Sequence, residues 1–420
     1  MAGSVNDMAY PCPKCKTVNV PKGRALTVAM SCKGCGAYFC VYTNINDVFK
    51  EKYDPAIPIG AKGTFDGKTY EVMGFSVKRE KKHRYKFREY FLFSPYHGIA
   101  FLSEFDGHWN FLKPYANHPW SLGYTDEDPT VNGSTFLLYA RYRADVLYAT
   151  GEYFNDMIAV TEESEHWEHI APPYILTYEQ SKVMASSFLG KYTTPGEIAN
   201  AFKLDKANLP VKKGMGYTEP VGGNFTVNAL IVVTATSLLL AFILMLFFSN
   251  TAADKNLLHM SYTRDDLKDS TKMIRTAAFE LQDTKNLVLH IYAPVENNWF
   301  FAEYSLINDA TNQEYIFTKE VEYYYGYDDG GSWHEGSKTS EVFLSSVPPG
   351  KYHFNIYPDF GTFAGKVEVA VFHDTVYYTN FWLTVAALLL FPAGVFVYRH
   401  YKNVKRWQDS DYSPYATDDE

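Results

Sequence analysis

Beyond position 40 this chain of 420 residues contains no cysteine. Whatever folds there does so without disulfides, so its stability must come from an apolar core. Charge is missing from two stretches, one between Glu219 and Asp254 and one between Asp374 and Arg399. A soluble surface helix does not tolerate runs of that length. As helices rising 1.5 Å per residue, both are long enough to cross a ~30 Å hydrocarbon layer. The polar segment Met1 to Asn19 lacks the apolar core of a signal peptide, so the first span is expected to act as its own insertion signal. The signatures HExxH, GxSxG, GxxxxGK[ST] and strand-then-GxGxxG are also missing. That removes the motif-based case for a zincin, an α/β-hydrolase, a P-loop NTPase or a dinucleotide enzyme. A mean hydropathy of −0.25 excludes a many-span transporter. What remains is a mostly water-facing chain tethered at two points.

The spans are expected at residues 225–248 and 375–398. Arg399, Lys402, Lys405 and Arg406 follow the second, and Lys203, Lys206, Lys212 and Lys213 precede the first. The flanks facing the intervening loop are poorer in positive charge, so the positive-inside rule places both termini in the cytoplasm and residues 249–374 outside. Tyr377, Tyr378, Phe381 and Trp382 suit the outer interface, and Tyr398, Tyr401 and Trp407 the inner one. Residues 249–377 hold 10 Lys/Arg against 19 Asp/Glu, which equals the whole chain's net charge of −9. The remaining, cytoplasmic parts therefore sum to zero, which makes nucleic acid an unlikely partner.

All five cysteines fall between positions 12 and 40. Cys12, Cys15, Cys32 and Cys35 form two CxxC knuckles, the pattern that closes a tetrahedral shell around one metal ion. The expectation is a structural zinc ribbon over residues 1–45, with a rubredoxin-type iron site as the alternative. Cys40 is left as a small core residue.

From residue 57 to 203 the pattern is β. Strands alternate around Tyr70, through Tyr85 to Phe93, and on both sides of the turn at Asp106-Gly107. They resume at TFLLYARYRADVLYATGEYF and run on through KYTTPGEIANAFKL. YEVMGF near residue 72 and LYATGEY near 150 are loosely alike, as are GHW at 107–109 and EHW at 165–167, which suggests a degenerate duplication into two halves. Seven Lys/Arg lie in KREKKHRYKFR (78–88), read as a solvated hairpin, or alternatively as a contact for anionic lipid or an acidic partner. Glu165-His-Trp-Glu-His169 is read as a surface loop rather than a metal pair. His108 in DGHW and Glu152 in GEYF are polar beside aromatics and are the candidates for lining a pocket. Residues 204–224 form a linker. Residues 252–273 read as a polar, partly helical stalk before seven short strands, and together they predict a β-sandwich over 249–374. A cytoplasmic tail occupies 399–420.

The run IGAKGTFDGKTYEVMG, then REYFLF, FDGHW, GEYF, APPYILTYEQ and PGEIANAF resembles the bacterial domain-of-unknown-function family 4178 over about residues 57–203. The family commonly has Trp where Phe87 stands. The resemblance implies a bacterial protein, in gene contexts with polyamine aminopropyltransferase-like enzymes, small membrane proteins and envelope stress. It carries no activity over to any residue. The sequence as a whole predicts a mainly β protein: zinc ribbon, β-rich cytoplasmic domain, two transmembrane helices and an extracytoplasmic β-sandwich. Its expected role is that of an inner-membrane adaptor or sensor, contacting membrane lipid and protein partners. The alternative is an enzyme or enzyme accessory holding a small polar metabolite.

Overall fold

The computed structural model describes residues 8–42, 46–47, 49–116, 128–154, 164–180, 185–222, 226–267, 272–328 and 330–415. Strands dominate. The chain divides into two compact units, residues 1–225 with 395–420, and residues 226–394.

The first unit is built on eight antiparallel strands, β1 (Lys68–Glu80), β2 (Lys86–Ser94), β3 (Gly98–Phe105), β4 (His108–Pro114), β5 (Leu137–Tyr153), β6 (Ser164–Ala171), β7 (Tyr174–Gln180) and β8 (Ala185–Thr193). β1 to β4 form one meander and β5 to β8 a second. β4 pairs with β8, and β1 pairs with β5, so the sheet closes into a barrel. The two halves therefore meet first strand to first strand and last to last. YEVMGF and LYATGEY lie on those two first strands, with Gly74 opposite Gly151. GHW and EHW do not correspond, since they fall on the fourth strand of one half and the second strand of the other.

Both faces of the first meander are buried. Phe75, Val77, Tyr90, Leu92, Ala100, Leu102, Trp109 and Phe111 point outward, under helix α1 (Pro195–Phe202), which contributes Ile198, Ala199 and Phe202. The segment PGEIANAF is thus a helix, not a continuation of the strands. Its start is a capping box: Thr194 Oγ1 accepts from Glu197 N, Glu197 accepts from Thr194 N, and Pro195 opens the first turn.

β5 is long because it serves three neighbours in succession. It pairs with β6 over 137–144, with β1 over 144–151, and through Glu152 and Tyr153 with the ribbon strand Ala29–Ser31. The cysteine-bearing N-terminus is thereby an extension of the barrel sheet.

In the second unit, helix α2 (Val227–Thr251) is capped by the Thr226 hydroxyl; helix α3 (Tyr378–Arg406, with Pro392 inside it) begins in this unit, and its residues from Val395 on belong to the first. Both are long and apolar enough to span a bilayer. Phe225, the expected start of the first span, lies outside the described residues. α3 continues eight residues past the expected end of the second span, as the basic run Arg399–Arg406 stays helical. The sandwich consists of β9 (Lys255–Tyr262), β10 (Lys285–Tyr292), β11 (Asn298–Asn308), β12 (Glu314–Asp328), β13 (Gly331–Gly336), β14 (Thr339–Val347), β15 (Gly350–Asp359) and β16 (Val367–His373). One sheet has the order β9-β16-β10-β14. The other carries β15-β11-β12-β13, with two short strands, Ile274–Arg275 and Phe279–Leu281, against β15. Leu287, Leu289 and Ile291 of the first sheet share a core with Tyr304, Phe354 and Ile356 of the second. No stalk forms over most of the stretch expected at 252–273. Residues 255–262 are an edge strand, because Tyr262 is buried in that core and Leu257, Leu258 and Met260 pack against it.

Barrel closure is tight where the glycines face each other. A Cβ on Gly151 would stand 2.3 Å from Met73 O, and its φ of +93° disfavours any side chain. Replacing Gly151 with Ala should lower stability by ~1–3 kcal/mol, read as a depressed thermal midpoint. An unchanged midpoint would show that the β1·β5 seam is looser than described.

Candidate functional site: a charged barrel lumen and a four-cysteine cluster

Alternation along the strands sends every second residue inward. At the ribbon end the interior is aromatic and apolar, with Met73, Phe91 and Tyr153 packed together. Toward the other end it turns polar. Lys78 of β1, Glu89 of β2, His166 and Glu168 of β6 and Glu179 of β7 line a cavity of about 50 Å³. A second cavity of about 100 Å³ shares Phe87, Ser103, Tyr142, Glu168 and Tyr217 with it and leads to the barrel mouth.

The charges are organised around Lys78, whose side chain is 5% exposed. Its Nζ lies 2.8 Å from Glu89 Oε2 and 3.3 Å from Glu179 Oε1. Burial pulls the ammonium's pKa down, but Glu179 and Glu89 more than offset it and hold the group charged. Burial also works against ionised Glu179, yet Lys78 and His166 keep its pKa low. Glu89 is pushed up by burial and by Glu179, against the pull of Lys78. His166 Nε2 is 2.7 Å from Ser164 Oγ, and its ring stacks on Tyr142 with centroids 4.9 Å apart. Burial drops its pKa to about 4, so the imidazole is neutral at pH 7. Glu168 accepts a 2.8 Å hydrogen bond from Tyr142 OH. Burial, aided by the charge of Glu89, pushes Glu168 up to about 7 despite that bond. One lysine thus faces two carboxylates, and a third on the same cavity is pushed up to about 7.

EHWEH is therefore not a surface loop. It is barrel strand β6, with His166 and His169 both buried and only His166 lining the cavity. The basic run 78–88 is likewise divided. Lys78 is inside, while Lys82 and His83 at the hairpin tip meet Asp411 of the chain's own C-terminal segment at 2.5 and 3.5 Å.

That segment walls the mouth. Trp407 packs with Leu112, Ile170, Ile175 and Phe188. Tyr139 OH donates to Arg406 O, Ser410 Oγ donates to Tyr139 O, and Asp409 and Asp411 line the outer cavity.

His108 and Glu152 act elsewhere, and neither lines these two cavities. His108 is buried under the linker, with Nε2 3.0 Å from Lys213 O and Nδ1 3.2 Å from Tyr192 OH. Gly216 lies flat against its ring, where a Cβ would come within 2.5 Å. Glu152 clamps the ribbon: its carboxylate accepts from Lys22 N at 2.8 Å, Gly23 N at 2.9 Å and Thr27 Oγ1 at 3.3 Å.

In the ribbon, the sulfur atoms of Cys12, Cys15, Cys32 and Cys35 lie within 4.8 Å of one another. The two knuckles repeat one backbone pattern. Cys12 N donates to Thr17 O and Lys16 N to Cys12 O; Cys32 N donates to Ala37 O and Gly36 N to Cys32 O. Lys16 and Gly36 occupy the same left-handed position. Cys12–Cys35 and Cys15–Cys32 sulfur separations are 3.7 and 3.5 Å. A tetrahedron with ~2.3 Å metal–sulfur bonds has edges of about 3.8 Å, so the four thiolates fit a tetrahedral metal ion with no open position. Asn19 Nδ2 and Gly34 N point at Cys32 Sγ and would offset its negative charge.

Two outcomes follow from this geometry. Chelation should release about one metal ion per chain and open residues 10–40 to trypsin at Lys14, Lys16 and Lys33; protection that persists without metal would refute the site. For Glu168, a folded-state pKa above the unfolded value means its stabilisation is complete below about pH 4 and is lost as pH rises through about 7. Glu168→Gln lacks that loss. Relative to the parent, it should gain up to ~3 kcal/mol between pH 4 and pH 8, measured by denaturant titration at both values. A constant difference would contradict the assignment.

The family model described as "Domain of unknown function (DUF4178)" matches residues 58–195, which span the barrel strands. No curated protein matches the chain. Among solved structures, an exo-β-1,3-galactanase from Phanerochaete chrysosporium with galactose is 8% identical, over 82% of this chain and 95% of that one, with a TM-score of 0.15. Carbohydrate-binding modules of the β-sandwich superfamily are 10% identical, over 64% and 92%, with a TM-score of 0.13. Neither likeness bears on fold or function. The resemblance read from the motifs at 57–203 is thus matched by a family model for the barrel domain, residues 58–195.

Proposed function

We propose that this protein is a membrane-anchored adaptor or sensor whose barrel receives a small polar molecule. One observation carries the reading. Buried titratable side chains with shifted pKa values line a cavity that opens at the barrel mouth, and such groups gathered in a cleft mark binding sites. α2 and α3 anchor the chain in a bacterial inner membrane, with both termini in the cytoplasm and residues 249–374 outside; the basic flanks support this orientation. The four-cysteine cluster holds a structural zinc. Occupancy of the lumen is communicated through the mouth segment, which continues directly from α3, to protein partners in the membrane or cytoplasm. A second reading is an enzyme or enzyme accessory acting on the same molecule. It is favoured by Glu168, whose pKa of about 7 suits proton transfer at neutral pH.

The test is native mass spectrometry of the full chain extracted from its own membrane in mild detergent. The parent should retain a small compound besides its metal, and Phe87→Trp, which fills the lumen, should lose the compound at an unchanged metal content. No retained compound, together with no thermal stabilisation by any member of a polar-metabolite panel, would overturn the receptor. A reporter fused at residue 300 that reads cytoplasmic would overturn the orientation.

A further inference from the structure

The mouth cavity differs from the inner lumen in what lines it. Tyr85, Phe87, Phe105, Tyr139, Tyr142 and Tyr217 are among its walls, and Glu168 stands where it joins the inner cavity. The rings brace one another: Tyr85 with Phe105 and Phe87 with Tyr142 edge to face at 5.6 and 5.9 Å, and Tyr139 stacked on Tyr217 at 5.2 Å. The positive groups at this mouth are already engaged. Arg141 Nη2 lies 3.1 Å from Glu165 and its guanidinium sits over the Trp167 ring, while Lys82 pairs with Asp411. Glu80 accepts from the backbone N–H groups of Lys82, His83 and Arg84 and serves the hairpin rather than the cavity. Glu168 and Asp409 are left to set the sign of the field. A bare metal ion is poorly served, because the mouth's carboxylates do not converge on one point: among the described residues only the four cysteines gather as a ligand cluster. An anion is repelled. A soft, weakly hydrated cation suits both the π-faces and the carboxylate.

Resting on the receptor reading above, we propose that the mouth cavity is a binding site for a methylated ammonium group, caged by these six aromatic side chains and charge-paired with Glu168. The C-terminal segment is part of this site, because Asp409 and Asp411 line the same cavity. A ligand in the cage therefore touches the chain that follows α3. The cavity, at about 100 Å³, admits one such headgroup and leaves the remainder of a larger ligand to the inner lumen or to solvent.

The experiment is calorimetry on the full chain in a maltoside micelle, free of choline lipids and choline-like detergents. The probes are tetramethylammonium and choline, against ammonium as the unmethylated cation and 3,3-dimethyl-1-butanol as the neutral isostere of choline. The methylated cations should bind about tenfold more tightly than either control, as expected of a desolvated cation–π cage. Tyr85→Leu, at a half-exposed position, should remove most of that preference. Glu168→Gln should weaken every cation by about tenfold and leave the neutral isostere unaffected. Thermal midpoint and metal content report whether each variant has folded, and a second cage variant, Phe105→Leu, stands in if Tyr85→Leu has not. Absence of saturable binding, equal binding of ammonium, or equal binding of the neutral isostere would each overturn the proposal. If native mass spectrometry nevertheless finds a neutral or anionic compound in the lumen, the receptor reading stands and only the ammonium assignment fails.

Discussion

Everything inside the first unit depends on the pairing of β1 with β5. Without that seam the two meanders would be an open sheet, and Lys78, Glu89, Glu168 and Glu179 would face water as ordinary surface charge. Closure gives the sheet an inside. It is permitted at Gly74 and Gly151, where backbone passes so near backbone and ring that a side chain would block it. Once the sheet is closed, each inward charge must find a partner or neutralise. Lys78 does the first with Glu89 and Glu179, His166 does the second, and Glu168 is balanced between the two.

That balance distinguishes the lumen from a structural salt-bridge core. A buried pair with nothing beside it contributes rigidity and little net stability. Here the pair lines a cavity, and the cavity continues outward through an aromatic mouth. The ribbon and the C-terminal segment complete the picture from opposite directions: Glu152 ties the ribbon to the end of β5, and Trp407 with Asp411 ties the tail to the mouth. The barrel is thus gripped by both ends of its own chain.

The parts legible in the sequence were those encoded by local pattern. Two CxxC knuckles, two charge-free spans and most strands could be read because each signal fits within a few turns of chain. The capping box at Thr194–Glu197 was equally local but was masked by the β pattern around it. Closure and the lumen were not legible, because they depend on which strands meet. Glu89 in FREYF and Glu179 in LTYEQ look like polar residues on half-exposed strands, and Lys78 merges into a basic run whose other members are at the surface. His108 and Glu152 stood out as polar residues among aromatics, and the fold gives that same environment to residues that fasten a linker and a ribbon. Strand β9 was hidden because its core-packing residues, Leu257, Leu258, Met260 and Tyr262, do not alternate regularly with polar ones.

The order in which the wall of the mouth is made has a consequence of its own. The barrel strands are complete by Thr193, but Lys82 at the rim pairs with Asp411, and the two are 329 residues apart. Both long apolar helices and the whole sandwich are translated in between. A newly made barrel therefore lacks one wall of its mouth until Asp409 and Asp411 have been made. The mouth cavity is thus made later than the strands that enclose the lumen. A chain interrupted before Trp407 would keep the strand pairing of the barrel and the four-cysteine cluster but lack that wall.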